Sequence, residues 1–468
     1  MPQDAGTMTR AEATPPWLLL FAIAAIGLAV RVAAARGGLW LDEAWSAVFA
    51  ADVATPAGVF LNIHHDNNHH LNTLWLQWVG IDADPLVQRA LSIATGTAAI
   101  VVAALIVTPQ GRAAAVIAAL AFALSPILVT YGSEARGYAP MLLALLILML
   151  VVGRWLDDPE RPPPVIGLTI VCILGVLAQM TFIFAVGVVA GWVFLRRADE
   201  TTLRRALIDT ARAMAAPSLV TLAMIALIVR WLPGASGFTI GHLTPYSGGD
   251  LLTGQSAMLA YTFGAPLDRG WMLLPAGGVI AALALLPQLK ARRWLYLLAL
   301  VGVPLGCAIA HLGNVAIPRY FLTGAAAALL LVAEVGALAL TRGGGWRGVA
   351  AAVLLVMVVG SVTRDAALIG NRRADPSIVV RVLRSAAPTG STVSLDRERA
   401  APVIQVAAAQ AAYPVRIVPC GRFLFVDRDG DEPFPAAPTR CGLAYRPIVE
   451  AHPTGLSGTH WTLYERRP

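Results

Sequence analysis

A succession of apolar runs, each near the length of one membrane crossing and separated by short polar turns, constrains this chain more than any other feature. Such runs of Ala, Val, Leu and Ile need a non-aqueous partner, and a hydrocarbon core about 30 Å thick takes about 20 helical residues. The composition agrees: of 468 residues 57% are hydrophobic and 13% charged, with a mean hydropathy of +0.67. The formal net charge of +7 is therefore read as loop charge on one side of a membrane, not as a nucleic-acid surface. Lys290 is the only lysine among 35 Lys and Arg, and this Arg bias with abundant Ala and Gly suggests a GC-rich bacterial genome.

Residues 1–16 are polar and are expected to form a disordered cytoplasmic N-terminus. The first run, 17–35, is read as a retained helix rather than a cleavable signal peptide, because Arg31 would interrupt a signal core. Further runs fall at 86–108, 112–130, 138–153, 164–179, 181–195, 211–231, 270–288, 294–311, 319–341 and 347–363. The stretch 164–195 is too long for one crossing and divides at Gln179, Met180 and Thr181. With an inside N-terminus, Arg112, Arg154, Arg161, Arg196, Arg197, Arg204, Arg205, Lys290, Arg292, Arg293, Arg342 and Arg347 all fall in inside loops. Merging 164–195 would throw the 196–205 arginines outside. The expected fold is thus an α-helical polytopic membrane protein of about eleven transmembrane helices over 17–363, in a bacterial inner membrane.

The last span delivers residues 364–468 to the extracytoplasmic side. There the pattern changes to a helix at 376–387, a strand at 391–396, a helix at 399–412 and strands near 414–419 and 422–427, which predicts a small α/β domain. Cys420 and Cys441 lie in it and can pair if it faces an oxidising compartment. Cys172 and Cys307 lie inside apolar runs and read as packing residues.

Polar residues are densest at 36–72, RGGLWLDEAWSAVFAADVATPAGVFLNIHHDNNHHLN, within an outside loop at 36–85. Asp42 and Glu43 follow the first span, and four histidines, His64, His65, His69 and His70, surround Asp66. Two more outside turns carry ionisable residues at membrane ends: 131–138, with Glu134, Arg136 and Tyr138, and 311–320, with Asn314, Arg319 and Tyr320. A charge at membrane depth is costly and usually faces a partner or a water-filled cavity. A single such residue reads equally well as a cap or a snorkelling side chain. Three turns on one face favour a site.

The motifs Trp40-Leu41-Asp42-Glu43-Ala44-Trp45, Ser133-Glu134-Ala135-Arg136-Gly137-Tyr138 and Pro318-Arg319-Tyr320, in this order and topology, resemble the GT-C glycosyltransferases, in particular the protein mannosyltransferase and aminoarabinose-transferase-like group (family 39-like). The resemblance covers roughly residues 17–363 in layout. It implies an integral membrane enzyme that moves a sugar from a polyprenyl-phosphate donor to a hydroxyl of an envelope acceptor (glycan, lipid or protein) on the extracytoplasmic face. It implies that Asp42 matches the family's catalytic acidic residue. The residue types agree with that chemistry. Asp42 suits a base for the acceptor proton, with Glu43 as substitute or orienting partner. Arg136 and Arg319 suit the phosphate, since guanidinium binds phosphate oxygens bidentately. Tyr138 and Tyr320 add hydroxyl donors. One carboxylate facing a lipid-phosphate leaving group suits inversion, although sequence spacing does not exclude a retaining pair.

The histidine cluster has two readings. On a helix His65 and His69 would share a face and, with Asp66, could hold a divalent metal. Alternatively it holds no metal: the stretch is a polar re-entrant loop whose side chains hydrogen-bond near the headgroups, and the resemblance implies that Asp66, Asn67 and His69 could contact sugar hydroxyls. Glu134 either pairs with Arg136 or Arg31, or helps to bind a metal or sugar. Arg31 either snorkels or pairs with a carboxylate. The segment 232–269, with His242, Tyr246, Asp250, Tyr261 and Asp268, has the composition of a mobile outside loop. The rival functions are a polytopic transporter or flippase, and a non-catalytic envelope assembly protein. Transporters often show paired repeats and broken midplane helices, whereas the ionisable residues here cluster at one membrane face.

Overall fold

The computed structural model describes residues 14–233, 237–239, 244–265 and 273–467, so most of the N-terminal segment expected to be disordered lies outside the described residues, as do His242 and Asp268. Helices occupy the chain up to Asn371, and a sheet follows. Six helices are long and apolar enough to cross a membrane: Trp17–Ala34 (α1), Ala90–Gln110, Tyr138–Leu156, Leu203–Trp231, Pro318–Arg342 and Gly344–Asn371. This is the build of a polytopic membrane protein, with six such helices among the described residues rather than the eleven expected.

The other five expected runs are helical but short or charged. Arg112–Leu124, Val165–Ala178, Leu273–Leu283 and Arg293–Ile309 fall in the range of 10–17 residues. Phe182–Glu200 is long enough but ends in Arg196, Arg197, Asp199 and Glu200. Local chemistry explains two of the breaks. Proline cannot donate to a continuing helix, so the chain breaks at Ser125 and restarts as Pro126–Tyr131. Gln179 is extended, with φ −162°, and separates Val165–Ala178 from Phe182–Glu200 at the polar turn expected there.

The helices sort by burial. Pro318–Arg342 lies at the centre, its small residues Ala325 to Ala328 fully buried and allowing close helix approach. Gly344–Asn371 turns Val349, Leu355, Val356, Val359 and Val362 outward, and α1 turns Leu18, Phe21 and Ile26 outward. Apolar faces this extensive suit a bilayer as their medium. Part of the expected loop 232–269 is instead a helix, Gly248–Phe263, that buries Met258, Leu259, Ala260 and Tyr261. Its small and apolar residues at 254–262 favour packing over exposure.

The C-terminal unit is a mixed six-stranded sheet with strand order β2-β1-β3-β6-β5-β4. Its strands are β1 (Ser391–Leu395), β2 (Val415–Ile417), β3 (Phe423–Arg428), β4 (Thr439–Arg440), β5 (Leu443–Ala451) and β6 (His460–Arg466). β1 runs parallel to β2 and β3, as the crossover helix Ala401–Gln410 requires. β6 pairs antiparallel with β3 and β5. The helices Ser377–Ala386 and Ala401–Gln410 and the first three strands lie where the sequence places them, while β4 to β6 are additional.

This unit does not stand apart. Its Val379, Leu383, Val393, Phe423 and Trp461 form one core with Leu39, Leu76, Ala135 and with Ala44, Ala47 and Ala50 of the helix Leu41–Ala51 (α2). Cys420 and Cys441 are disulfide-bonded across a separation of 21 residues. In the chain-entropy view a loop of that size gives about 3 kcal/mol. The full-length Cys420→Ser variant is therefore expected to be cut faster by protease within residues 415–440, roughly 100-fold where cleavage follows the open population. Unchanged cleavage would show that the bond adds nothing to local stability.

Candidate active site

The site begins with the first turn of α2. Asp42 and Glu43 suit this position because carboxylates complement the free N–H groups of a helix start. Glu43 Oε2 accepts the Trp40 N–H at 3.2 Å. Adjacent helical residues point about 100° apart, so the two acids meet different surroundings. Asp42 keeps 29% of its side chain exposed, whereas Glu43 is fully buried.

Asp42 Oδ2 accepts from Arg136 Nη1 and, at 3.1 Å, from Arg319 Nη1. Arg136 comes from the turn before Tyr138–Leu156, and Arg319 from the turn Pro318–Phe321. Three segments far apart in sequence thus converge on one carboxylate. The Arg136 guanidinium lies over the Tyr138 ring, 5.1 Å from its centroid, and Tyr131, Tyr138 and Tyr320 are near enough to Arg319 to act on its charge. Burial by itself would raise the Asp42 carboxyl. Arg136 and then Arg319 outweigh it and hold the carboxyl below the usual carboxylate range.

Glu43 is enclosed by donors inside the protein. Its Oε1 accepts Arg89 Nε at 2.8 Å and the Ala135 N–H at 2.6 Å, and its Oε2 accepts Arg89 Nη2 at 2.5 Å. Burial opposes its charge, but Arg89 prevails and lowers its pKa. The orienting role is the one the geometry supports. Ala135 and Arg136 are clamped by three side chains: Glu43 holds the Ala135 N–H, Asn72 Nδ2 donates to the Ala135 carbonyl at 2.6 Å, and Ser92 Oγ donates to the Arg136 carbonyl at 2.8 Å. A backbone held this firmly aims Arg136 at Asp42.

Glu134 is also fully buried, so it is placed as an interior residue rather than as a sugar ligand. Its cationic partner is Arg373, at 3.6 Å, not Arg136 or Arg31. Burial pushes its carboxyl up, and Arg373 only partly offsets this. Arg373 itself donates to the carbonyls of Ala34 at 2.6 Å and Thr130 at 3.0 Å, and to Ser133 Oγ at 2.7 Å. It fastens the C-terminal unit to the turn that carries Arg136. Arg31 does not snorkel. It turns inward, donating to the Phe122 carbonyl at 3.0 Å and the Ala123 carbonyl at 3.3 Å, where the Pro126 break leaves acceptors free.

The histidines divide. Residues 63–69 are irregular and helix begins only at His70, so His65 and His69 do not share a helical face. His65 Nδ1 pairs with Asp66 at 2.9 Å on an exposed loop, which bridges to Thr239. His69 is buried, with Nδ1 3.2 Å from Gln179 Oε1, and burial followed by Arg136 pushes its pKa down to about 3. It is neutral at pH 7 and lies close enough to Asp42 to act on its charge. Among the described residues no group of three or more His, Cys, Asp or Glu is arranged to hold a metal ion. The shared helical face expected for His65 and His69 beside Asp66 is not formed, because helix begins only at His70.

The residues missed in the sequence are Arg89, Arg373 and Gln179. An arginine inside an expected span, as Arg89 was, is itself a signal of a buried partner. Gly137 shows how tightly the turn is packed. A Cβ there would overlap the Ala178 carbonyl and the Cβ of His69. Gly137→Ala is expected to cost roughly 3 kcal/mol, at the upper end for overpacking, and to lower the melting temperature. An unchanged melting temperature would mean that the turn can yield.

No model of a known protein family matches this sequence, and no curated protein matches it.

Proposed function

We propose that this chain is a membrane glycosyltransferase of the GT-C type. It would move a sugar from a polyprenyl-phosphate donor to an acceptor hydroxyl in the cell envelope, on the extracytoplasmic face. The observation that carries the reading is a carboxylate, Asp42, held between two arginines from separate turns at membrane ends. Such a set matches the charges of the reaction. An acceptor oxygen attacks the anomeric carbon, the bond from that carbon to the phosphate oxygen breaks, the acceptor proton goes to Asp42, and polyprenyl phosphate departs with its negative charge facing Arg136 and Arg319.

The resting ion pairs suit a switch. While Arg136 and Arg319 hold Asp42, its carboxylate is a weak base. When a donor phosphate draws them away, the Asp42 pKa rises and the carboxylate becomes a stronger base as substrate arrives. Tyr138 and Tyr320 stand beside the arginines as hydroxyl donors. His69 keeps a buried, neutral imidazole against Gln179, close enough to Asp42 to act on its charge. The exposed Asp66 with His65 lies on the loop leading to it. The disulfide supports an oxidising, extracytoplasmic location for residues 364–468, and the loop arginines support a cytoplasmic N-terminus.

The test is transfer by the purified full-length chain from a radiolabelled polyprenyl-phosphate sugar to envelope acceptors. Label in an acceptor that disappears when Asp42 is changed supports the reading. If no sugar moves to any envelope fraction and Asp42 variants leave the cellular phenotype unchanged, a transport or assembly role takes its place.

A further inference from the structure

A second polar site lies where α1 and the helix Gly344–Asn371 end. A cleft of about 370 Å³ runs between the turns 35–38 and 84–86 and residues 372–381 and 407–411 of the C-terminal unit. Asp42, Arg136 and Arg319 do not line it. Arg372 is the cap residue of Gly344–Asn371, and Arg373 Nη1 donates to the Ala34 carbonyl, so the two helix ends sit side by side. Both helices turn apolar side chains outward below it. The cleft therefore opens at the level where lipid-facing surface gives way to polar surface.

Each of its carboxylates already accepts a backbone N–H, whereas two of its arginines have no partner among the described residues. Asp84 Oδ1 accepts the Leu86 N–H at 2.8 Å. Asp375 Oδ1 accepts the N–H groups of Gly38 at 2.8 Å and Ser377 at 3.0 Å, and its Oδ2 faces Arg381 at 4.0 Å. Among the described residues, no hydrogen bond or ion pair engages the side chain of Arg36 or Arg372, and both are exposed in the cleft. The backbone adds a second observation. Arg372, Arg373 and Ala374 have φ of 48°, 54° and 60°, three successive non-glycine residues in the left-handed region. Conformations that residues other than glycine seldom adopt persist only where the surroundings impose them, and they cluster at ligand sites. Here they send Arg373 into the interior and leave Arg372 at the cleft.

We propose that this cleft binds the phosphate of an anionic lipid headgroup, with Arg36 and Arg372 as its ligands and Arg381 at the rim. Guanidinium groups grip phosphate oxygens bidentately. A lipid is favoured over a soluble phosphate because the cleft opens beside two lipid-facing helices. The proposal does not depend on sugar transfer.

Native mass spectrometry of the full-length protein in detergent, supplied with equal amounts of phosphatidylglycerol and phosphatidylcholine, tests it. Wild type is expected to retain phosphatidylglycerol selectively, also in the presence of millimolar inorganic phosphate. The double variant R36Q/R372Q, with an unchanged melting temperature in phosphatidylcholine, is expected to lose about tenfold or more of that retention. Equal retention of both lipids by wild type, or full retention by the double variant, would overturn the proposal. Displacement of the lipid by inorganic phosphate would overturn its lipid source and assign the cleft to a soluble phosphate.

Discussion

Replacing Asp42 by Asn is expected to abolish sugar transfer while the protein still folds and inserts. The amide keeps the size of the carboxylate and still accepts hydrogen bonds from Arg136 and Arg319, but it cannot take a proton. Loss of a general base costs 10²–10⁴-fold, so a fall of about a thousandfold is expected. Stability should fall less than on loss of Glu43, because the amide still accepts from both arginines and Arg319 keeps 23% of its side chain exposed, although Arg136 is buried. The pH profile supplies a stricter check. The deprotonated carboxylate is the active form, so the rate falls as pH drops through its pKa. In the free protein Arg136 and Arg319 hold that pKa below the usual range, so the acid limb of kcat/KM lies below the ordinary aspartate value of about 3.9. If bound donor draws the arginines away, the acid limb of kcat must lie at higher pH than that of kcat/KM. Coincident limbs would show that the ion pairs do not exchange.

Much of this architecture was legible because membrane physics writes it in composition. A run such as 138–153 has no stable alternative to a helix in an apolar medium, and the helix Tyr138–Leu156 is there. The polar break at Gln179 was readable for the same reason. Length was harder, since it depends on where a single residue such as Ser125 ends a helix and Pro126 starts another. In the C-terminal unit, β1 to β3 carry β-branched and apolar runs, but β5 buries only Tyr445 and is irregular between Pro447 and Val449, so its alternation is weak. At the site, the convergence of Asp42, Arg136 and Arg319 could be expected from topology, because ionisable residues at one membrane face seek one another. The division of labour between neighbours could not. Whether Asp42 or Glu43 meets Arg136 and Arg319 depends on how α2 rolls against the C-terminal unit, and that is set by Ala44 and Ala47 packing on residues more than 300 positions away. Arg89 and Arg373 escaped notice because part of what holds each is backbone carbonyls, which sequence does not mark.

That division leads to the largest expected effect on stability, and it falls on Glu43 rather than on its neighbour. Glu43→Ala removes the only carboxylate hydrogen-bonded to Arg89 among the described residues and leaves a guanidinium that is 1% exposed among carbonyls. Breaking one side of a buried ion pair costs about 3–5 kcal/mol, since the remaining charge cannot be resolvated. The same change frees the Ala135 and Trp40 N–H groups, which loosens both α2 and the turn that carries Arg136. The variant should melt at much lower temperature and accumulate poorly in the membrane. Linkage gives the matching pH dependence. The folded pKa of Glu43 is depressed, so its stabilisation is complete above the ordinary carboxylate value of about 4.3 and is lost as pH falls below that value, through the depressed one. Wild type should therefore lose stability with acid over a range in which Glu43→Ala is less sensitive. The two neighbouring substitutions are thus expected to be opposite in kind: Asp42→Asn to fold without transfer, and Glu43→Ala to fail by unfolding. A Glu43→Ala protein that melts like wild type yet transfers no sugar would reverse the roles, placing the reacting carboxylate at Glu43 and the ion pair that matters for folding at Asp42.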